Sequence, residues 1–294
     1  MRVLDSFVRV GILAAVFLLA AAPGANGEEA MDEIIQRKTC LAEDGVLIVY
    51  SAAGAGDPAL IFIHGGLADR TFWDGQLRAF SARHRTIALD LAGHGESGID
   101  RKKWGVPEFG ADVKAVIQAE NLQNVIIFGN SLGGPVAIEA ALLLPGRVLG
   151  VVGVDTFQVL DYRITPEEAK QRVDSFQHDF AGALKQMVQM LFHDDADPSL
   201  VADAERRMAG TSHEAAQAMF KSLAGYDAGA ASRRLTVPLR AINGDLFPTD
   251  IAGNRKVAAN FDAVIMDHMG HYPMLESPAA FNDLVKKIVA SLGK

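Results

Sequence analysis

Cysteine is almost missing from this chain: Cys40 stands alone among 294 residues. A single thiol closes no internal disulfide and fits no metal-ligand spacing, so Cys40 reads as a small packing residue near a strand. Basic charge is scarce as well. A net charge of −8 leaves no cationic footprint for nucleic acid. Internal repeats and low-complexity linkers are lacking too. The conspicuous apolar run, Gly11 to Ala22, is too short to cross a bilayer comfortably. What is there is ordinary for a chain that buries a full core, with 49% hydrophobic and 22% charged residues. The length suits one large domain or two modest ones.

The first 27 residues have the order of a secretory signal: Arg2 and Arg9, the apolar run, then small residues in "PGANGEE". Cleavage is expected after Gly27 or after Ala22. No cysteine follows the run, so a bacterial lipid anchor is not expected. The mature protein is read as exported, periplasmic or secreted, with no stable membrane anchor once the signal is removed. Export without a disulfide pair points to a periplasm-like compartment.

From residue 28 onward, β-prone and helical stretches alternate. "ALIFIH", "RTIALDL", "NVIIFGN", "RVLGVVGVD", "VPLRAINGD" and "DAVIMD" read as strands, and amphipathic or alanine-rich helical stretches lie between most of them. Such alternation predicts an α/β fold, a mostly parallel sheet with helices on both faces. The alternation breaks between residues 157 and 234, where only helical patterns recur. The expected organisation is a signal peptide over 1–27, a core over 28–156 and 235–294, and a helical cap inserted over 157–234.

Ligands of open α/β sheets bind beyond the carboxyl ends of the strands. Serine, aspartate and histidine all reach that edge, in the order Ser131, Asp245, His271. Ser131 lies in "FGNSLGGPVA", between a strand and a helix. A sharp strand-to-helix turn strains its central residue and needs very small neighbours two positions away on each side. Gly129 and Gly133 meet that need, and the amide of Leu132 opens the helix.

"GNSLGG" resembles the nucleophile elbow of the α/β-hydrolase superfamily. "HGG" at 64–66 resembles its oxyanion loop, and "DLAGHGESG" its D-x-x-G-x-G-x-S turn. "NGDLFPT" is similar to the acid loop, and "MGHYPMLESP" to the histidine loop with its downstream Glu-x-Pro. The likeness runs in family order over roughly residues 40 to 292. It implies Ser131 as nucleophile, His271 as its base and Asp245 as the acid that orients the histidine, with the amides of Gly66 and Leu132 as the oxyanion hole. Asp155 also ends a strand, and some members of the superfamily take their acid from that earlier position. His64, His94, Asp90 and Ser97 are expected to brace loops. "HDDADP" at 193–198 reads as a solvated turn with a helix cap, not a metal site. Neither cofactor nor metal is expected. Trp104, Phe157, Phe247 and Tyr272 are expected to border the substrate pocket.

The resemblance implies a hydrolase acting through an acyl-enzyme on an ester, thioester or lactone, and the many Met and Phe of the expected cap point to a small, largely apolar acyl group. The partner is then a small-molecule substrate, and oligomeric state stays open. The same triad serves carbon–carbon bond hydrolases and cofactor-free haloperoxidases or perhydrolases. For the former, Arg70 is a candidate partner for a substrate carboxylate. Aspartate-nucleophile dehalogenases and epoxide hydrolases are disfavoured by the serine. A non-catalytic binding module of the same fold is the reading from another class.

Overall fold

The computed structural model describes residues 35–293. The expected signal peptide, residues 1–27, lies outside them. Eight strands form one sheet: β1 (Gln36–Leu41), β2 (Leu47–Ala53), β3 (Ala59–Ile63), β4 (Thr86–Leu89), β5 (Val125–Asn130), β6 (Val148–Val154), β7 (Leu239–Gly244) and β8 (Phe261–Met266). Their order is β1-β2-β4-β3-β5-β6-β7-β8. β2 runs antiparallel to both neighbours, and the strands from β4 to β8 pair in parallel.

Every residue of β3, β4 and β5 is buried, as expected of strands covered on both faces. Helix α1 (Asp74–Phe80) packs with the last helix of the chain. Helix α2 (Val106–Ala119) packs against α3 (Gly133–Leu143), which lies along β5 and β6. Between β6 and β7 come five helices: α4 (Pro166–His178), α5 (Phe180–Met190), α6 (Pro198–Met208), α7 (His213–Leu223) and α8 (Ala228–Arg233). Helix α4 starts at a capping box in which Thr165 and Glu168 satisfy each other's backbone amides. After β7 follow α9 (Ile251–Val257), α10 (Pro273–Glu276) and α11 (Pro278–Leu292), the last of which packs on α1.

The chain builds outward from β3 through β4 in one direction and from β5 through β8 in the other. Strand order therefore reverses between β3 and β5. Such a switch point opens a crevice at the carboxyl ends of the strands. The loop after β3 carries His64, Gly65 and Gly66, and the turn after β5 carries Ser131.

Candidate active site

Ser131 sits in the left-handed region at φ 50°, a costly place for a residue with a side chain. The surroundings enforce it. Its amide donates to the Val154 carbonyl at 3.1 Å, and its carbonyl accepts from the Gly134 amide at 3.0 Å. A Cβ on Gly129 would lie 2.0 Å from the Gly133 carbonyl oxygen, and one on Gly133 would lie 2.6 Å from that of Ile63. The turn thus closes only on glycine at both positions. Neither the Gly66 nor the Leu132 amide has a hydrogen-bond partner among the described residues, and both residues border the same cavity as Ser131. Free amides at that edge are suited to a developing oxyanion.

His271 also lines that cavity. Its Nδ1 lies 2.5 Å from Oδ2 of Asp155, whose side chain is fully buried. The other carboxylate oxygen of Asp155 accepts the Gly244 amide at 3.0 Å. A carboxylate only accepts, so Nδ1 of His271 carries the proton and Nε2 presents a lone pair. The loop that carries His271 is fixed from several directions. Its amide donates to the Leu191 carbonyl at 2.8 Å, while Asn130 Nδ2 donates to its carbonyl at 3.0 Å. Glu276 accepts the flanking amides of Gly270 and Tyr272, both at 2.9 Å.

Asp245, the acid expected from the sequence, does not touch His271. Its carboxylate accepts the amides of His268 at 2.9 Å and Met269 at 3.1 Å and pairs with His193 Nε2 at 3.1 Å. These partners, the His268 amide foremost, hold its carboxyl below the usual range. The physical reason is occupancy: Asp155 already fills the place beside Nδ1 of His271, and the Asp245 carboxylate is committed to the His268 and Met269 amides and to His193.

Above these residues the helices between β6 and β7 close a two-lobed cavity. The first lobe, about 430 Å³, is lined by Ser131, His271 and apolar cap residues such as Phe176, Met187 and Met219. The second, about 310 Å³, shares Ser131 and Leu132 and runs along Thr156–Leu160 toward Tyr226. Phe247 and Tyr272 line the first lobe and Phe157 the second.

A model described as the alpha/beta hydrolase family matches residues 60–284, well over half of the chain. This chain belongs to the alpha/beta hydrolase family. It is similar, at 33% identity over 99 residues, to the dihydrolipoyllysine-residue acetyltransferase component of the acetoin cleaving system of Pseudomonas putida. That match covers 34% of this chain and 27% of that protein. The chain spans about a third of the length of the curated relatives it matches. Among solved structures, the esterase of Thermogutta terrifontis superposes with a TM-score of 0.78 at 19% identity, covering 88% of this chain and 100% of that one. An esterase of Exiguobacterium antarcticum gives the same score and identity over 87% and 100%. At such identities the likeness is one of fold.

In this alpha/beta hydrolase the remaining candidates fall into place. Trp104 borders neither lobe. Its indole N–H donates to the Arg101 carbonyl at 3.1 Å, its ring packs against Phe109 and over Gly93, and it edges a separate depression beside Glu214. Arg70 is committed as well, pairing with Asp90 and Glu96 beneath the site and reaching Ser51, so it is not free for a substrate carboxylate. Asp90 accepts the amides of Arg70 and Glu96, and Ser97 bridges the Asp90 carbonyl and the Val49 amide. His64 and His94 are buried and hydrogen-bonded to neighbouring backbone. Asp197 caps α6 through the Ser199 amide, while His193 of the same loop is drawn to Asp245. Among the described residues, no group of three or more His, Cys, Asp or Glu is placed to hold a metal ion.

Asn130 lies in "GNSLGG" and Glu276 in the downstream Glu-x-Pro, yet neither motif states what its residue holds. Each acts on backbone of the histidine loop, which spacing alone does not locate.

Proposed function

We propose that this chain is a serine hydrolase that cleaves a small, largely apolar carboxylic ester, or a related thioester or lactone, through an acyl-enzyme. The observation that carries the reading is the buried Asp155–His271 pair at 2.5 Å together with a serine strained into the turn at φ 50° that lines the same cavity as His271. In the first step the Ser131 hydroxyl adds to the acyl carbonyl while Nε2 of His271 takes its proton. Negative charge that gathers on the carbonyl oxygen is met by the amides of Gly66 and Leu132. The tetrahedral species collapses, the bond to the leaving alcohol breaks, and His271 returns the proton to that alcohol. Water then repeats the sequence on the acyl-enzyme and releases the acid and free Ser131. Asp155 holds the imidazole in its tautomer and stabilises it when charged.

The substrate size follows from the cavity volumes and the apolar lining of the larger lobe. Export, with removal of a segment ending at Gly27 or Ala22, is part of the same proposal and rests on the order of charge and hydropathy in the first 27 residues.

Labelling with a fluorophosphonate, which reacts with a base-activated serine, tests the reading. Adduct mapped to Ser131 and lost in Ser131→Ala is the expected result. Folded protein that takes no label and cleaves no short-chain ester would point instead to a binding module.

A further inference from the structure

The two lobes that meet at Ser131 are lined by a single charged side chain apart from the titratable His271. It is Arg172, on α4, and it borders both lobes. No aspartate, glutamate or lysine stands among the lining residues of either. In a chain of net charge −8 this is an unusual place for a lone cation.

Among the described residues the Arg172 guanidinium makes no hydrogen bond or ion pair, and it acts on Glu168 and Tyr162 only through its charge. Its natural helical partner is Glu168, four residues earlier. That carboxylate is taken: Oε2 accepts the Thr165 amide and hydroxyl, both at 2.8 Å, and Oε1 accepts the Tyr162 hydroxyl at 2.8 Å. The other acids of α4 are engaged too, Glu167 with Gln171 and Asp174 with Lys170. Ser175, one turn on, and Gln186 of α5 line the first lobe beside it and add neutral hydrogen-bonding groups.

A guanidinium fork fits a carboxylate with two parallel hydrogen bonds, and Arg172, exposed on α4, presents that fork at the wall of both lobes. We infer that the substrate is an ester that carries a carboxylate, and that Arg172 is the residue that selects it. The inference deepens the hydrolase reading and rests on Ser131 as the reacting group. The carboxylate belongs either to the acyl part or to the leaving group, since Arg172 borders both lobes.

The test compares kcat/KM of wild type, Arg172→Gln and Arg172→Lys on three esters. One is neutral (p-nitrophenyl butyrate), one carries the carboxylate on the acyl part (p-nitrophenyl hemisuccinate), and one carries it on the leaving group (m-carboxy-p-nitrophenyl butyrate). Wild type should prefer one of the two anionic esters to the neutral one. That ratio should fall about 10- to 100-fold in Arg172→Gln, recover in part in Arg172→Lys, and shrink with added salt. Which ester shows the effect assigns the carboxylate to one side of the bond. Unchanged ratios for both anionic esters would overturn the inference. If wild type cleaves none of the three, the hydrolase reading has failed, and binding of glutarate decides the rest. A rise in Tm with glutarate in wild type and not in Arg172→Gln supports the carboxylate site, while equal responses reject it.

Discussion

Asp155 reaches His271 with one carboxylate oxygen and the Gly244 amide with the other, so both its acceptor atoms are used inside the sheet edge. Asp245 spends its carboxylate on the His268 and Met269 amides and on His193 from the loop after α5. These two environments predict opposite outcomes for the same conservative change. Asp155→Asn should lower kcat by about 10³- to 10⁴-fold, because an amide in that place favours the wrong imidazole tautomer. Asp245→Asn, at an exposed site that touches neither Ser131 nor His271, should shift activity by about twofold at most. Steady-state rates on one ester check both, and a large loss confined to Asp245→Asn would return the acid role to it. The proposed nucleophile and base, Ser131 and His271, were legible in the sequence because glycine spacing and loop order are local signals. The proposed acid was not, because both aspartates directly follow a strand. What decides between them is a lateral contact, namely which carboxylate the packed loops leave beside Nδ1 of His271, and no local pattern encodes it.

The same division between local and lateral information holds for whole elements. The strand–turn–helix from β5 to α3 is written in its glycines, and the structure adds the reason. A Cβ on Gly129 would stand 2.0 Å from a backbone oxygen that has no room to retreat. Gly129→Ala should therefore cost about 1–3 kcal/mol of stability or more and displace the serine, read as a lower Tm together with lost turnover. A loss of neither would mean the turn relaxes easily. The loop between β8 and α10 is different, because it is held by groups distant in sequence. Asn130 ties the His271 carbonyl to the elbow strand, and Glu276 gathers the amides on either side of His271. Removing the clamp leaves two partly buried amides without an acceptor. Glu276→Ala should cost about 1–3 kcal/mol in chemical denaturation and lower kcat more than it raises KM, since the base is misplaced and the cavity is not. A change in KM alone would contradict a positioning role.

Across the whole molecule, alternation of strand and helix was enough to anticipate an α/β sheet, and the missing strands over residues 157–234 marked where five helices depart from it. The pairing order, the antiparallel β2 and the buried polar belt beneath the site follow from long-range packing instead. That belt has a consequence for acid stability. His64 donates Nδ1–H to the Gly65 carbonyl at 2.7 Å and accepts the Leu91 amide on Nε2 at 3.0 Å, so a second proton would face an N–H group. His94 stands 4.9 Å away, ring to ring, bonded to the Ala92 carbonyl, with its Nε2 buried and unpartnered. Burial above all pushes His64 from 6.5 down to about 4 and His94 down to about 3. Above pH 6.5 neither state binds the extra protons, and the stability contribution of the neutral pair is complete. Below it the unfolded chain takes up protons that the folded chain refuses until about pH 4 for His64 and about pH 3 for His94. Stability therefore falls with pH through that window, by up to about 1.4 kcal/mol per pH unit for each histidine. Asp112, raised by burial to about 6 against its Arg101 partner, acts in the opposite sense between 3.8 and 6, because there the folded chain keeps a proton the unfolded one has lost. The difference between wild type and His94→Gln cancels that opposing contribution. Denaturation midpoints taken from pH 7.5 to 4.5 should fall more steeply for wild type than for His94→Gln, and parallel curves would show that His94 takes up its proton without strain in the folded chain.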